Sequence, residues 1–356
     1  MCFPLIDVMV DRCIRQRLEE KEESLSPFAA KSKNARRDFP EEKSPMRTEF
    51  QRDRDRIIHS KSFRRLKHKT QVFIAPLGDH FVTRLTHTLE VSQIARSIAR
   101  ALNLNEDLVE AISLGHDLGH TPFGHVGEDV LNELYSQGFS HNEQSLRVVE
   151  LLEKNGQGLN LTQEVREGIL KHSKGREDLL DSSWDLPITL EAQICKIADS
   201  IAYINHDIGD ALRAGLIEEN DLPNDAIALL GNSSSSRINT MVCDIIDQSW
   251  SATGLNGRAH PVITMSTEVL EEVNTLRRFL FQRVYEIQTT HEESERAREV
   301  VRFLFSYLII HPEYLPDEYS IGSDVERRVV DYIAGMTDNY ALRISKELGY
   351  KDSVMG

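Results

Sequence analysis

Apolar positions recur at steps of three and four through most of this chain. Leu190, Ile194, Ile197, Ile201, Ile204, Ile208 and Ala211 make one stripe, and Val269, Val273, Leu276, Leu280, Val284 and Ile287 make another. That spacing keeps apolar side chains on one side of a 3.6-residue turn, so both stretches predict helices with one buried face. Residues 293–310 begin acidic, turn apolar and stop before Pro312, which predicts a third helix with a sharp end. Asn105 is placed to cap a helix whose first turn holds Glu106 and Asp107, where acids favour the dipole. Period-two alternation is scarce, and TQVFIAP at 70–76 is the best strand candidate. Loops are expected near 78, at 155–160, at 231–236 and at 252–261. The pattern predicts an all-α protein without internal repeats.

Composition narrows this picture in three ways. Forty per cent of the 356 residues are hydrophobic, ample for a core. The net charge of −15 argues against general affinity for nucleic acid or an anionic membrane. Cys2, Cys13, Cys195 and Cys243 are scattered with no CxxC pair, which fits a reducing compartment and gives no thiolate metal site. No stretch reaches the roughly 18 apolar residues of a membrane span, so a cytoplasmic location is expected. Residues 1–45 are polar and charged and read as a loosely ordered arm, leaving 46–356 as a single helical domain.

The chemistry concentrates in SLGHDLGHTPFGHVGEDV at 113–130, where His116, His120 and His125 fall within ten positions. His116 and Asp117 are neighbours at the end of the helix that follows Asn105. Neighbours on a helix point about 100° apart, so both can reach one ion beside the axis. His87, in RLTHTLEV, and Asp199, in KIADSIAY, would complete two imidazoles and two carboxylates from three helices. Nitrogen and oxygen donors without sulfur suit Mn, Mg, Co, Fe, Ni or Zn and leave coordination positions open. Each of these residues alone could equally be an ordinary polar group at a helix end. After Gly119, Thr121 is placed to cap a new helix with Pro122 in its first turn, and His125 and Glu128 would then share a face. A carboxylate beside an imidazole sets its tautomer and raises its basicity, as an acid–base pair requires.

The order H…HD…D resembles the HD-domain metal-dependent phosphohydrolases. Four longer blocks, RTEFQRDRDRIIHSKSFRRLKHKTQVF, HFVTRLTHTLEVSQIARSIARAL, ISLGHDLGHTPFGHVGE and ADSIAYINHDIGDALRAG, resemble the dGTPase-like deoxynucleoside triphosphate triphosphohydrolases. The similarity runs from about residue 26 to about 330. It implies an HD-domain helical bundle with additional C-terminal helices, one divalent metal ion, and hydrolysis of a dNTP to deoxynucleoside and tripolyphosphate. By this match His87, His116, Asp117 and Asp199 are the metal ligands. His125 and Glu128 are the catalytic pair, with His125 either protonating the leaving 5′ oxygen or positioning the attacking water. His120 lies against the phosphates, and Arg84 and His141 also contact substrate. Tyr203 packs on the sugar, Asp207 and Gln71 take the 3′ hydroxyl, Val72 excludes a 2′ hydroxyl, and Tyr285 closes the sugar side. Homo-oligomers, often hexamers, and a dNTP activator are also features of the family.

Two positions depart from family patterns. Ser200 stands where some members have a lysine, and Ile287 where some have a histidine. Phosphate charge must then be met by other cations, from the block 51–70 with its eight Lys or Arg against two Asp, or from Lys171. Two alternatives stay open: the same chemistry on a nucleoside monophosphate or guanosine tetraphosphate, and a non-catalytic nucleotide or single-strand binder.

Overall fold

The structure is a computed structural model that describes residues 13–74, 81–173, 186–255, 260–286 and 292–351. In chain order the helices are α1 (Ile14–Glu22), α2 (Glu49–Ile58), α3 (Lys61–Arg65), α4 (Arg84–Ala101), α5 (Glu106–Gly115), α6 (Gly124–Leu134), α7 (His141–Arg147) and α8 (Gln163–Lys171). They continue with α9 (Leu190–Arg213), α10 (Asn224–Leu230), α11 (Ser234–Gln248), α12 (Thr267–Leu280), α13 (Glu292–Ile310), α14 (Val325–Ala334) and α15 (Asp338–Glu347). The fold is all-α, and no helix among the described residues is long and apolar enough to cross a membrane.

The expected stripes are the buried faces. Ile194, Ile197, Ile201, Ile204, Ile208 and Ala211 of α9 are buried, as are Val269, Val273, Leu276 and Leu280 of α12. Asn105 caps α5 through the backbone N–H groups of Asp107 and Leu108, and α13 stops at Ile310 before Pro312. Beyond Leu280 the chain widens into a π-helical turn over Phe281–Tyr285, and Ile287 lies outside the described residues.

Three expectations meet a different outcome. TQVFIAP forms no strand among the described residues; Thr70 makes only one bridge, to Thr83. The reason lies in α15, whose Asp338 carboxylate accepts from the Thr70 backbone N–H at 2.9 Å and from the Thr70 hydroxyl. Its other oxygen accepts from Phe123 N–H at 3.0 Å, so one side chain ties both segments where a ladder could have formed. The serine run after Gly231 starts a helix, because Ser233 caps α11 by accepting from Ser236 N–H. Residues 13–45 are held to the body by polar contacts that composition hides. The Glu22 carboxylate accepts from Ser32 N–H at 2.7 Å and Asn105 at 3.1 Å, and Arg37 meets Glu49 at 2.8 Å and Asp53 at 2.5 Å. The loop expected near 78 lies outside the described residues.

Two hydrophobic clusters organise the packing. The larger is built mainly by α2, α4, α5, α8, α9, α11 and α12, with α4 set against α5 and α9. The smaller gathers Val130 and Leu131 of α6 with α13, α14 and α15. Leu118 belongs to the first and Phe123 to the second, so residues 116–125 form the seam between them. At this seam Gly119 touches α7 backbone to backbone. A Cβ there would sit 2.1 Å from Ser145 N and 2.8 Å from His141 O. Gly119→Ala should therefore lower stability by about 1–3 kcal/mol, read by denaturant unfolding, and should also cut turnover by displacing His141. Wild-type stability and turnover in this variant would show that the seam can yield.

Candidate active site

The packing of α4 on α5 and α9 brings three distant sequence segments to one point. His87 stands in the first turn of α4, His116 follows the last residue of α5, and Asp199 lies midway along α9. His87 Nε2 is 3.2 Å from Asp199 Oδ1, and His116 Nε2 is 3.9 Å from the same oxygen and 3.6 Å from Asp117 Oδ1. Donor atoms of His87, His116 and Asp117 lie within 4.8 Å of one another. His116 Nδ1 donates to Ser113 O at 2.7 Å, which leaves Nε2 as a lone pair facing the cluster. That Nε2 is buried and has no hydrogen-bond partner. A buried acceptor without a partner is costly, and a divalent cation satisfies it together with the two carboxylates, so the donor set fits a metal.

Asp117 is held by Arg84 from α4, whose Nη1 donates at 2.7 Å with both side chains almost wholly buried. Burial would raise the Asp117 carboxyl, but His116, Arg84, His120 and His87 around it hold it well below the usual carboxylate range. Behind this pair Lys69 is fully buried, its Nζ donating to the carbonyls of His120 and, at 2.8 Å, Ala334. Burial, with Arg65 and Arg84 nearby, brings Lys69 down to about 7.

A second group forms around Glu128. The expected cap at Thr121 is not what starts this helix. Phe123 and Gly124 both take positive φ (62° and 59°), and α6 begins at Gly124, so Pro122 stands outside it. A Cβ at Gly124 would lie 3.0 Å from Gln71 O, so the turn requires glycine twice over, for its φ and its close approach. From α6, Glu128 Oε2 lies 3.0 Å from His125 Nδ1 and 3.8 Å from His120 Nε2. Its Oε1 accepts from both the backbone N–H and Nδ1 of His141 at 2.8 Å. Burial would raise Glu128, yet His141, His125 and His120 together hold it well below its ordinary value.

The hydrogen bonds also set the charge of His141. His172 Nδ1 donates to Ile169 O at 2.6 Å, so the neutral His172 ring presents Nε2 as an acceptor, 3.2 Å from His141 Nε2. With Nδ1 donating to a carboxylate and Nε2 to an imidazole, His141 carries both protons. Burial alone would lower it, but Glu128 raises it above its ordinary value, whereas burial, with His116 and His141 beside it, takes His172 down to about 3. His120, stacked on His141 with ring centroids 4.7 Å apart, is driven well below the ordinary histidine value by burial and Arg84. His125 is 70% exposed and faces the open side.

Along α9, Tyr203 and Asp207 continue the stripe from Asp199. Tyr203 Oη accepts from Arg277 Nε at 2.6 Å, and Tyr285 donates its hydroxyl to Asp207 Oδ2. Burial lifts Tyr203 to about 12 and, with Asp207, puts Tyr285 well above its ordinary value. Arg277 is buried, and its Nη1 has no hydrogen-bond partner. Gln71 is buried with Oε1 likewise unpartnered, and Val72 packs against the core beside it.

The structure thus brings His87, His116, Asp117 and Asp199 together in one group and His120, His125, Glu128 and His141 in the adjoining one. Arg84, expected against phosphate, spends Nη1 on Asp117 and lies beneath the cluster. The basic block is largely committed elsewhere: Arg52 meets Glu41 and Glu49, Arg54 meets Glu110, Arg56 meets Glu41, and Lys61 meets Glu318. Lys171 pairs with Glu167 at 3.3 Å. Sequence reasoning missed Lys69, His172, His206 and Arg277. A second His–Asp doublet, His206–Asp207, was there to be read in YINHDIGD, while nothing local marks the other three.

Residues 84–204 match the HD domain, and residues 263–347, which include Arg277 and Tyr285, match the phosphohydrolase-associated domain. The chain is 55% identical to a deoxyguanosinetriphosphate triphosphohydrolase-like protein of Caldanaerobacter subterraneus subsp. tengcongensis, over 94% of this chain and 95% of that one. Proteins described in the same words are 45% identical in Desulfatibacillum aliphaticivorans (92% of this chain, 96% of that one) and 47% identical in Clostridium tetani (92% and 94%). With a histidine–aspartate cluster that can hold a metal and this likeness along nearly its whole length, the chain belongs to the deoxyguanosinetriphosphate triphosphohydrolase-like family of HD-domain phosphohydrolases.

Proposed function

We propose that this protein hydrolyses deoxynucleoside triphosphates, dGTP among them, to deoxynucleoside and tripolyphosphate with one divalent metal ion, and so draws down the dNTP pool. One observation carries the reading: an unbroken file of imidazoles joins the metal cluster to the acid–base pair. Ring centroids step from His87 to His116 (5.4 Å), His172 (4.9 Å), His141 (5.2 Å), His120 (4.7 Å) and His125 (5.2 Å). A triphosphate laid along this file meets metal at one end and a proton donor at the other.

His87, His116, Asp117 and Asp199 would hold the ion. When bound, a divalent ion supplies Lewis-acid neutralisation at the phosphate and eases ionisation of a water. The chain supplies the rest. His125, oriented by Glu128, gives its proton to the departing 5′ oxygen, which is otherwise a poor leaving group. His141, whose two N–H groups go to Glu128 and His172, lends its positive charge to the phosphates, and neutral His120 meets their oxygens. Arg277 Nη1 provides the buried positive charge that Ser200 lacks in place of lysine. Asp207 and Gln71 take the 3′ hydroxyl, Tyr203 and Tyr285 flank the sugar, and Val72 leaves a 2′ hydroxyl without a partner, which disfavours ribonucleotides.

Product analysis in ¹⁸O-labelled water tests the reaction. The metal-loaded protein should release tripolyphosphate carrying the label and unlabelled deoxynucleoside. Label in the nucleoside hydroxyl, or orthophosphate as the first product, would refute it. His125→Ala should keep its metal and lose roughly 10²- to 10⁴-fold in turnover.

Metal analysis tests the ligand set. His116→Ala and Asp199→Ala should each lose the ion and the activity, since two imidazoles and two carboxylates leave no spare donor. Full metal occupancy in both variants would overturn the assignment.

The charge on His141 makes a pH prediction. Its protonated form is present below its raised pKa and lost as pH rises through it, so kcat/KM should fall on the alkaline side. His172→Phe removes the acceptor that stabilises the second proton, and should move that alkaline limb to lower pH. An unmoved limb would assign the cationic role to another group.

A further inference from the structure

We propose that His206 is a positioning residue that links the sugar pocket to the metal cluster, passing the charge of Asp207 to the ring of His87. The inference rests on the proposed roles of His87 as metal ligand and Asp207 as sugar partner. His206 and Asp207 are neighbours on α9 and point about 100° apart, so one helix can address both sites. His206 Nε2 lies 2.9 Å from His87 Nδ1, with the two rings edge to face at 84°. The other nitrogen of His87, Nε2, faces Asp199 and the cluster.

Proton counting gives the link a direction. A neutral His87 that offers Nε2 to a metal must keep its proton on Nδ1, so His206 Nε2 accepts it. His206 then carries its own proton on Nδ1, which sits 2.7 Å from Asp207 Oδ1. The angle of that contact is not that of a hydrogen bond, and neither atom has an aligned partner, so the tie is one of charge. A metal-bound histidine usually gives its second N–H directly to a carboxylate or carbonyl, which orients the ring and raises its basicity. Here an imidazole is interposed, and the carboxylate behind it also accepts from Tyr285 at the sugar pocket. Coupling of this kind acts equally in both directions.

A double-mutant cycle with Mn²⁺ affinity as its readout tests this without turnover, with free Mn²⁺ followed by its paramagnetic resonance signal. His206→Phe should weaken Mn²⁺ binding roughly 10- to 100-fold. Asp207→Asn, which removes a charge from a residue outside the cluster, should weaken it roughly 5-fold in the wild-type background. In the His206→Phe background Asp207→Asn should have no further effect. His206→Gln can still accept from His87 and should fall between wild type and His206→Phe, which separates loss of the link from loss of folding. An Asp207→Asn effect of equal size in both backgrounds would overturn the link, as would unchanged Mn²⁺ affinity in His206→Phe. If His87→Ala binds Mn²⁺ as tightly as wild type, the ligand assignment fails first and takes the link with it. A cycle that behaves as expected while Asp207→Asn uses dNTPs like wild type would uphold the link and remove only the sugar role of Asp207.

Discussion

The buried ion pair between Arg84 and Asp117 sets the terms for the rest of the site. Taking two charges out of water costs several kcal/mol per ion, and only close geometry with further polar partners offsets it. Here the contact is 2.7 Å, and Arg84 also reaches Gln71 O at 3.4 Å. The pair therefore fixes how α4 meets the turn after α5. His87 stands one helical turn beyond Arg84, so the same register that joins the charges delivers His87 to His116. The position of the candidate metal cluster is thus a by-product of an interaction that lies beneath it.

Glu128 plays a comparable part in the adjoining group. One buried carboxylate serves three imidazoles and the first backbone N–H of α7. A single negative charge among so many nitrogens sorts them by distance and direction. His141 becomes the cation, His120 stays neutral, and His125 remains at the open edge. Chemically identical side chains acquire different protonation because their partners differ, as His141 and His120 do.

Much of this was legible before any coordinates. The stripes on α9 and α12, the Asn105 cap and the end of α13 follow from local periodicity and capping, which depend on neighbours in sequence. The HD doublet, read with its longer blocks, pointed to the four residues that the structure gathers. What was hidden depends on contacts between distant segments. Thr121 has the chemistry of a cap, but the left-handed pair Phe123–Gly124 is required by the close approach of Gln71 and cannot be seen locally. His172 and Arg277 look like ordinary polar residues until the fold buries them beside the site. The basic block read as a reservoir of phosphate ligands, yet its acids lie up to about sixty residues away, as in Arg54 with Glu110, or near the far end of the chain, as in Lys61 with Glu318.

The Asp338 clamp has a consequence for how the protein is made. Its carboxylate reaches back across more than two hundred residues to hold Thr70 and Phe123, the two segments that frame the seam. Asp338 also follows every candidate site residue in the chain. During synthesis all the metal-cluster residues leave the ribosome well before the side chain that braces them. A growing chain therefore holds the candidate site residues before it holds the carboxylate that ties Thr70 to Phe123.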